Sequence, residues 1–229
     1  MRPFVKFRIS IKLDYKTCFN FLNLKSAGID FGKNIISIHP QLRRIRKNKN
    51  KITKKRAIFF YINHFYNLHN NELKKALELF KKEWKKVEKC FFQEVKTIFG
   101  NFRWPKGKYI CYLSIFNCNP RFLHDKTFQV FYKSEKDAKR IIAHELLHFI
   151  FYYFLEKKIK IKLSKEKKWI LSEVFNTIVL NQDNFRKIIS PSKELGYPAH
   201  REYIQILTNE WKKCKNISSW INKAVKIIH

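Results

Sequence analysis

Residues 141–155 read Ile-Ile-Ala-His-Glu-Leu-Leu-His-Phe-Ile-Phe-Tyr-Tyr-Phe-Leu, an apolar run without a turn former. His144 and His148 are four apart, so on a helix they project from one face, about 5–6 Å from each other at Cβ. Two imidazoles at that separation can share one Zn2+. Glu145 stands beside them, where a carboxylate can take a proton from water activated by the metal. The plain alternative is a helix whose histidines only pack. It accounts poorly for the surroundings, because Ala143, Leu146, Leu147, Ile150, Phe151 and Phe154 make the helix mostly apolar. A buried carboxylate without a partner costs several kcal/mol or titrates to neutral. The run is also too short and too polar to span a bilayer.

Working outward, Ser134 with Asp137 three residues on resembles a capping box, and the spacing predicts a helix over about 135–156. Before it, residues 108–116 and 126–132 read as strands. The second of these is expected to offer a free edge to an extended peptide, or to be an ordinary antiparallel edge strand. Residues 100–107, with Gly100, Pro105 and Gly107, are turn-like and mark the best internal boundary, giving regions 1–100 and 101–229. In the first region, residues 3–13 alternate apolar and polar, which predicts a half-buried strand. A short helix is expected over 15–25 and a second strand over 30–40. Residues 41–56 (QLRRIRKNKNKITKKR) read as a basic loop or the exposed end of a helix, the best place for an anionic partner. Helices are expected over 57–69 and from Asn70 or Asn71, as N-cap, to about 99. After the central run, Ser164 can cap a helix over about 165–181. Pro191, Gly196 and Pro198 punctuate the next segment, and helical pattern returns from Ala199 onward. Together these predict an α+β fold, with a small antiparallel or mixed sheet packed on the active-site helix and a mostly helical C-terminal part.

The 229 residues carry a formal charge of +31, with 49 Lys and Arg against 18 Asp and Glu. Such a balance points to an anionic partner such as nucleic acid, or to compositional bias with solvated faces. Bias toward Lys, Ile and Asn would also enrich Glu, so part of the excess stays unexplained. Five widely spaced cysteines without a CxxC pair argue against a disulfide framework and for a reducing compartment. The N-terminus lacks the apolar core of a secretory signal, and a cytoplasmic protein without a transmembrane segment is expected.

Two histidines do not hold a catalytic zinc alone, since such a site takes three protein ligands and an open position. Downstream candidates are Cys214, His200, Asp183 and Glu173. Glu173 stands out, because it sits in an apolar stretch with Trp169, Ile170 and Val174 around it at helical spacing, and a carboxylate there wants a cation.

With His144, Glu145, His148 and Glu173 in place, HELLH on one helix and LSEVFN on the next, residues 108–207 resemble the gluzincin branch of the zincin metallopeptidases. The resemblance implies that His144, His148 and Glu173 bind zinc and that Glu145 is general base and then acid in hydrolysis of a peptide or protein substrate. Some gluzincins place an acid four residues after the glutamate ligand. Here that place is Thr177, with Asn176 beside it, and either is expected to accept a hydrogen bond from an imidazole. The resemblance also asks for a downstream group that stabilises an oxyanion; His200 is the first choice and Tyr203 the second. The rival reading is a basic nucleic-acid-associated protein with a structural or degenerate zinc site. A protease acting on nucleic-acid-bound proteins, as the SprT-like proteases do, would combine the two, but the third ligand here reads as Glu rather than His.

Overall fold

The computed structural model describes residues 3–189 and 192–228; Pro191 lies outside them. The fold is α+β, with a small mixed sheet and a majority of helix. The chain forms two compact units. One comprises residues 4–83 and 108–138, the other residue 3, 84–107, 139–189 and 192–228. Each unit therefore draws on residues from both sides of position 100.

The sheet-bearing unit opens with β1 (Val5–Ile9). The alternation continues through Leu13, but the strand ends at Ser10, whose extended backbone and hydroxyl cap α1 (Ile11–Phe21) by accepting from the Leu13 N–H at 3.3 Å. Ile11 and Leu13 are helical. A two-residue hairpin comes next, β2 (Lys25–Ser26) and β3 (Ile29–Asp30). Residues 30–40 form no longer strand. Asp30 caps α2 (Phe31–Ile38), accepting from the Lys33 N–H at 2.9 Å, and the isoleucines lie on a helix instead. The basic stretch becomes α3 (Leu42–Lys47) and the start of α4 (Lys51–Phe99). The two helices expected over 57–99 are merged in α4 across a kink at His69.

The sheet order is β1, β4 (Tyr109–Ser114), β6 (Thr127–Phe131), β5 (Arg121–Phe122). The first three strands are mutually parallel and β5 is antiparallel to β6. The free edge expected on β6 is covered. Its outer N–H groups at Gln129 and Phe131 donate to Pro120 O and to Asn119 Oδ1. Within this unit the buried carboxylate of Asp14 ties α1 to α4, β4 and β6. It accepts from Tyr66 Oη at 2.6 Å, Ser114 Oγ at 2.5 Å, the Ile115 N–H at 3.1 Å and Gln129 Nε2 at 2.7 Å.

The helical unit is built on α5 (Ala138–Phe154) and α6 (Lys165–Leu180), with α7 (Asp183–Ile189), α8 (Arg201–Lys213) and α9 (Ile217–Ile227) after them. A single turn of 3₁₀ helix, Glu135–Asp137, precedes α5; Ser134 is not extended and its hydroxyl makes no capping bond, contrary to the capping-box expectation. A π-helical turn, Leu155–Ile159, ends the run. Ser164 does cap α6, accepting from the Lys167 N–H at 3.1 Å. The core is aromatic: Phe99, Phe151, Phe175, Phe185 and Trp220 are all buried. Among the described residues no helix is long and apolar enough to cross a membrane.

Candidate metal centre

The helix α5 is apolar nearly all round, so burial is its main source of stability and its few polar residues need partners. Three contacts set α6 against it. Asn176 Nδ2 donates to His144 O at 2.8 Å, the rings of Phe175 and Phe151 stack at 4.4 Å, and Ser172 Oγ donates to Tyr152 Oη at 3.2 Å. Numbers rise on one helix as they fall on the other, so the two run antiparallel. The register brings Glu173 opposite the turn between His144 and His148.

The result is a convergence of three ligand-type side chains. His144 Nε2 lies 3.1 Å from His148 Nε2 and 3.1 Å from Glu173 Oε2, and His148 Nε2 lies 3.6 Å from Glu173 Oε1. Ligands about 2.0–2.1 Å from a tetrahedral zinc are about 3.3 Å from one another. The observed edges straddle that value. The chemistry of the set fits too, because one proton on His144 Nε2 cannot lie on the lines to both Glu173 and His148, whereas a central cation faces all three. His148 and Glu173 are sealed from solvent, and His144 keeps 15% of its side chain exposed, so any opening of the site is on the His144 side. Burial pushes the His144 ring down. The hydrogen-bonded Glu173 carboxylate, with Glu194 and Glu145, outweighs burial and raises the ring to about 9.

Glu145 is buried at 4% exposure, and its charge is felt at His144. Asn176 and Thr177 act otherwise than expected. Thr177 Oγ1 donates back to Glu173 O at 2.9 Å and Asn176 donates to the His144 backbone, so neither hydroxyl nor amide takes an imidazole proton here. Both hold ligand-bearing backbone. A third carboxylate lies near His144. Glu194 Oε2 lies 4.0 Å from His144 Nδ1, the nitrogen that faces away from the cluster. Glu194 is paired with Arg140, one turn before His144. Its backbone is pinned by Asn181, whose side chain accepts from the Glu194 N–H at 2.9 Å and donates to Glu194 O at 2.8 Å. Sequence reasoning missed Glu194. The available signal was Arg140, a cation inside an apolar helix that needs a carboxylate.

His200 is buried, its ring 5.0 Å from that of Trp169 and 5.5 Å from that of Tyr197. Trp169 is one turn before Glu173 on α6. Burial holds the His200 ring below the usual imidazole range, opposed by Glu173, and its Nδ1 has no hydrogen-bond partner. No hydrogen bond or ring contact among the described residues joins Tyr203 to the cluster. Cys214 and Asp183 are not part of the ligand-type group, which is His144, His148 and Glu173. Comparison with protein-family models, with curated proteins and with solved structures returns no match.

Proposed function

We propose that the chain is a zinc-dependent metallopeptidase of the gluzincin type, with zincin-like packing around α5 and α6. The observation that carries the reading is the triangle of His144, His148 and Glu173 donors, with Glu145 between the histidines in sequence and buried beside them. His144, His148 and Glu173 would hold the ion. Zinc at such a site supplies a Lewis acid that acidifies water and polarises a carbonyl. Glu145 accepts the proton of the attacking water and returns it to the leaving amine. His200, neutral near pH 7 by virtue of its burial, is a donor to the charge that develops on the substrate oxygen. Glu194 and Arg140 fix the ring plane of His144, and Asn176 and Thr177 fix the backbone that carries the ligands. None of the five cysteines forms a disulfide, which fits a cytoplasmic, reducing setting.

The test pairs metal content with cleavage. Purified protein should hold about one zinc per chain and cleave a nonspecific peptide library. Glu145→Gln should keep its zinc and lose at least a hundredfold in cleavage, and His148→Ala should lose zinc itself. Full cleavage by Glu145→Gln, or stoichiometric zinc in His148→Ala, would overturn the assignment. Zinc bound without any cleavage would leave the rival, a structural metal site in a nucleic-acid-associated protein.

A further inference from the structure

Between Phe31 and Asn71 the chain has ten Lys and Arg side chains and no Asp or Glu. In the fold this stretch is α2, α3 and the first turns of α4, and it does not spread its charge evenly. Lys33 from α2 and Arg43, Arg46 and Lys47 from α3 line one cleft of about 600 Å3, with Asn23 and Ser37 supplying polar groups on its wall. Arg46 is neutralised by Asp30 through a two-pronged pair at 2.9 and 3.1 Å. Lys33, Arg43 and Lys47 have no carboxylate partner among the described residues. Gathering three unpaired cations at one concave surface costs repulsion that an anion would relieve.

The cleft leads onto a track of rings. Asn23, at its wall, lies 2.6 Å from Lys54 Nζ and accepts from it with its amide turned so that the oxygen faces the ammonium. Next along α4, Lys55 Nζ sits 5.5 Å over the Phe19 ring, and one turn further Phe59 meets Tyr15 at 6.5 Å. Phe59 and its neighbour Phe60 are 52% and 70% exposed. From Lys54 to Phe60 the track runs about 9 Å, at about 1.5 Å per helical residue. Cations beside solvent-facing aromatic rings are the two parts of a single-strand site. The first take phosphates, the second take the faces of unstacked bases. A protein partner would use the cations only if it were acidic, and would leave the alternation of rings and charges without a purpose.

We infer that the α2–α3 cleft and the exposed rings of α4 bind single-stranded nucleic acid, phosphates to Lys33, Arg43 and Lys47 and bases to Phe59 and Phe60. The inference is independent of the metal centre. The full chain is titrated against a fluorescein-labelled 20-nucleotide oligothymidine, its duplex with oligoadenosine, and heparin, from 50 to 200 mM KCl. Arg43→Glu with Lys47→Glu should weaken oligothymidine binding at least tenfold and lower the log–log salt slope by about 1.4, at about 0.7 per phosphate contact. Lys74→Glu with Lys75→Glu makes the same change in net charge on an exposed part of α4 and should cost no more than a third of that factor. Phe59→Ala with Phe60→Ala should weaken binding about tenfold and leave the slope unchanged. Equal losses from the two charge reversals would mean that the whole +31 surface binds any polyanion, and would overturn the site. So would tighter binding of the duplex or of heparin, or full binding by the double phenylalanine variant. Thermal melts check that each variant is folded, and Arg43→Gln with Lys47→Gln replaces the charge reversal if that variant is not.

Discussion

His144 has one nitrogen in the cluster and the other toward Glu194, and this division decides what each neighbour does. A ring that must aim Nε2 within a few tenths of an ångström needs a partner on Nδ1, or it turns about its side-chain torsions. Glu194 stands within ion-pair range of that nitrogen, and its pairing with Arg140 keeps it in place. Glu194→Gln removes the charge but keeps the shape and the two backbone bonds to Asn181. Zinc affinity, measured by competition with a chromophoric chelator, should fall about 10–100-fold while the melting temperature moves by only a few degrees. Unchanged affinity would show that Glu194 serves Arg140 alone. The four residues that carry the candidate site are legible in the sequence because helical spacing converts directly into direction: four residues apart is one face, and Glu173 is conspicuous among apolar neighbours. Glu194 is not, because it lies in a segment without periodicity and its reach to His144 depends on how that segment folds back on α6.

The segment that carries Glu194 is positioned by an element-level fit. Gly196 has φ +64°, and a Cβ there would fall 2.7 Å from Ile204 Cδ1 and 2.8 Å from Thr177 Oγ1. The chain therefore crosses α6 at van der Waals distance, next to the turn that bears Glu173. Gly196→Ala meets left-handed backbone strain of about 1 kcal/mol and overlap of about 1–3 kcal/mol. Urea unfolding should show the midpoint displaced accordingly, and zinc affinity should drop with it, because Glu194 is two residues away. A midpoint equal to that of the native chain would contradict the close approach. The same scale shows where pattern reading fails. Alternation over 3–13 is compatible with strand throughout, but Ser10 supplies a side-chain acceptor for the Leu13 N–H, and Thr17, Cys18 and Leu22 continue a helical buried face. The isoleucines at 35, 36 and 38 favour strand by propensity. The cap at Asp30 and the packing of Gly32 on Leu22 O override it, and Leu22 lies ten residues before Gly32. Where an element is long and its period unbroken, as in α6 and in α4 beyond its kink at His69, sequence and structure agree.

Across the sheet-bearing unit, the parallel order of β1, β4 and β6 is invisible to local pattern, because β1 pairs with β4 about a hundred positions away and β6 lies parallel to β4 rather than in a hairpin with it. Asp14 is the side chain that records this topology. It gathers donors from α4, β4, the residue after β4 and β6, and Gln129, one of those donors, also accepts from Thr17 of α1. Burial raises its carboxyl from an ordinary 3.8 to about 6, against the pull of Ser114, Tyr66, Ile115 and Gln129 in the other direction. That fixes the sign of the pH effect. An acid whose value is raised on folding binds more protons folded than unfolded between about pH 4 and 6, so the unit gains stability as pH falls through that window. From pH 7 to pH 5 the gain from this group is about 1 kcal/mol. Asp14→Asn keeps one acceptor and cannot titrate. Urea unfolding of both proteins at pH 7, 6 and 5 isolates the group, since every other titrating residue is common to them. The native chain should gain about 1 kcal/mol more than Asp14→Asn on going to pH 5. An equal gain in both would mean that the four donors hold the carboxylate ionised through this range and that hydrogen bonding, not burial, governs this charge.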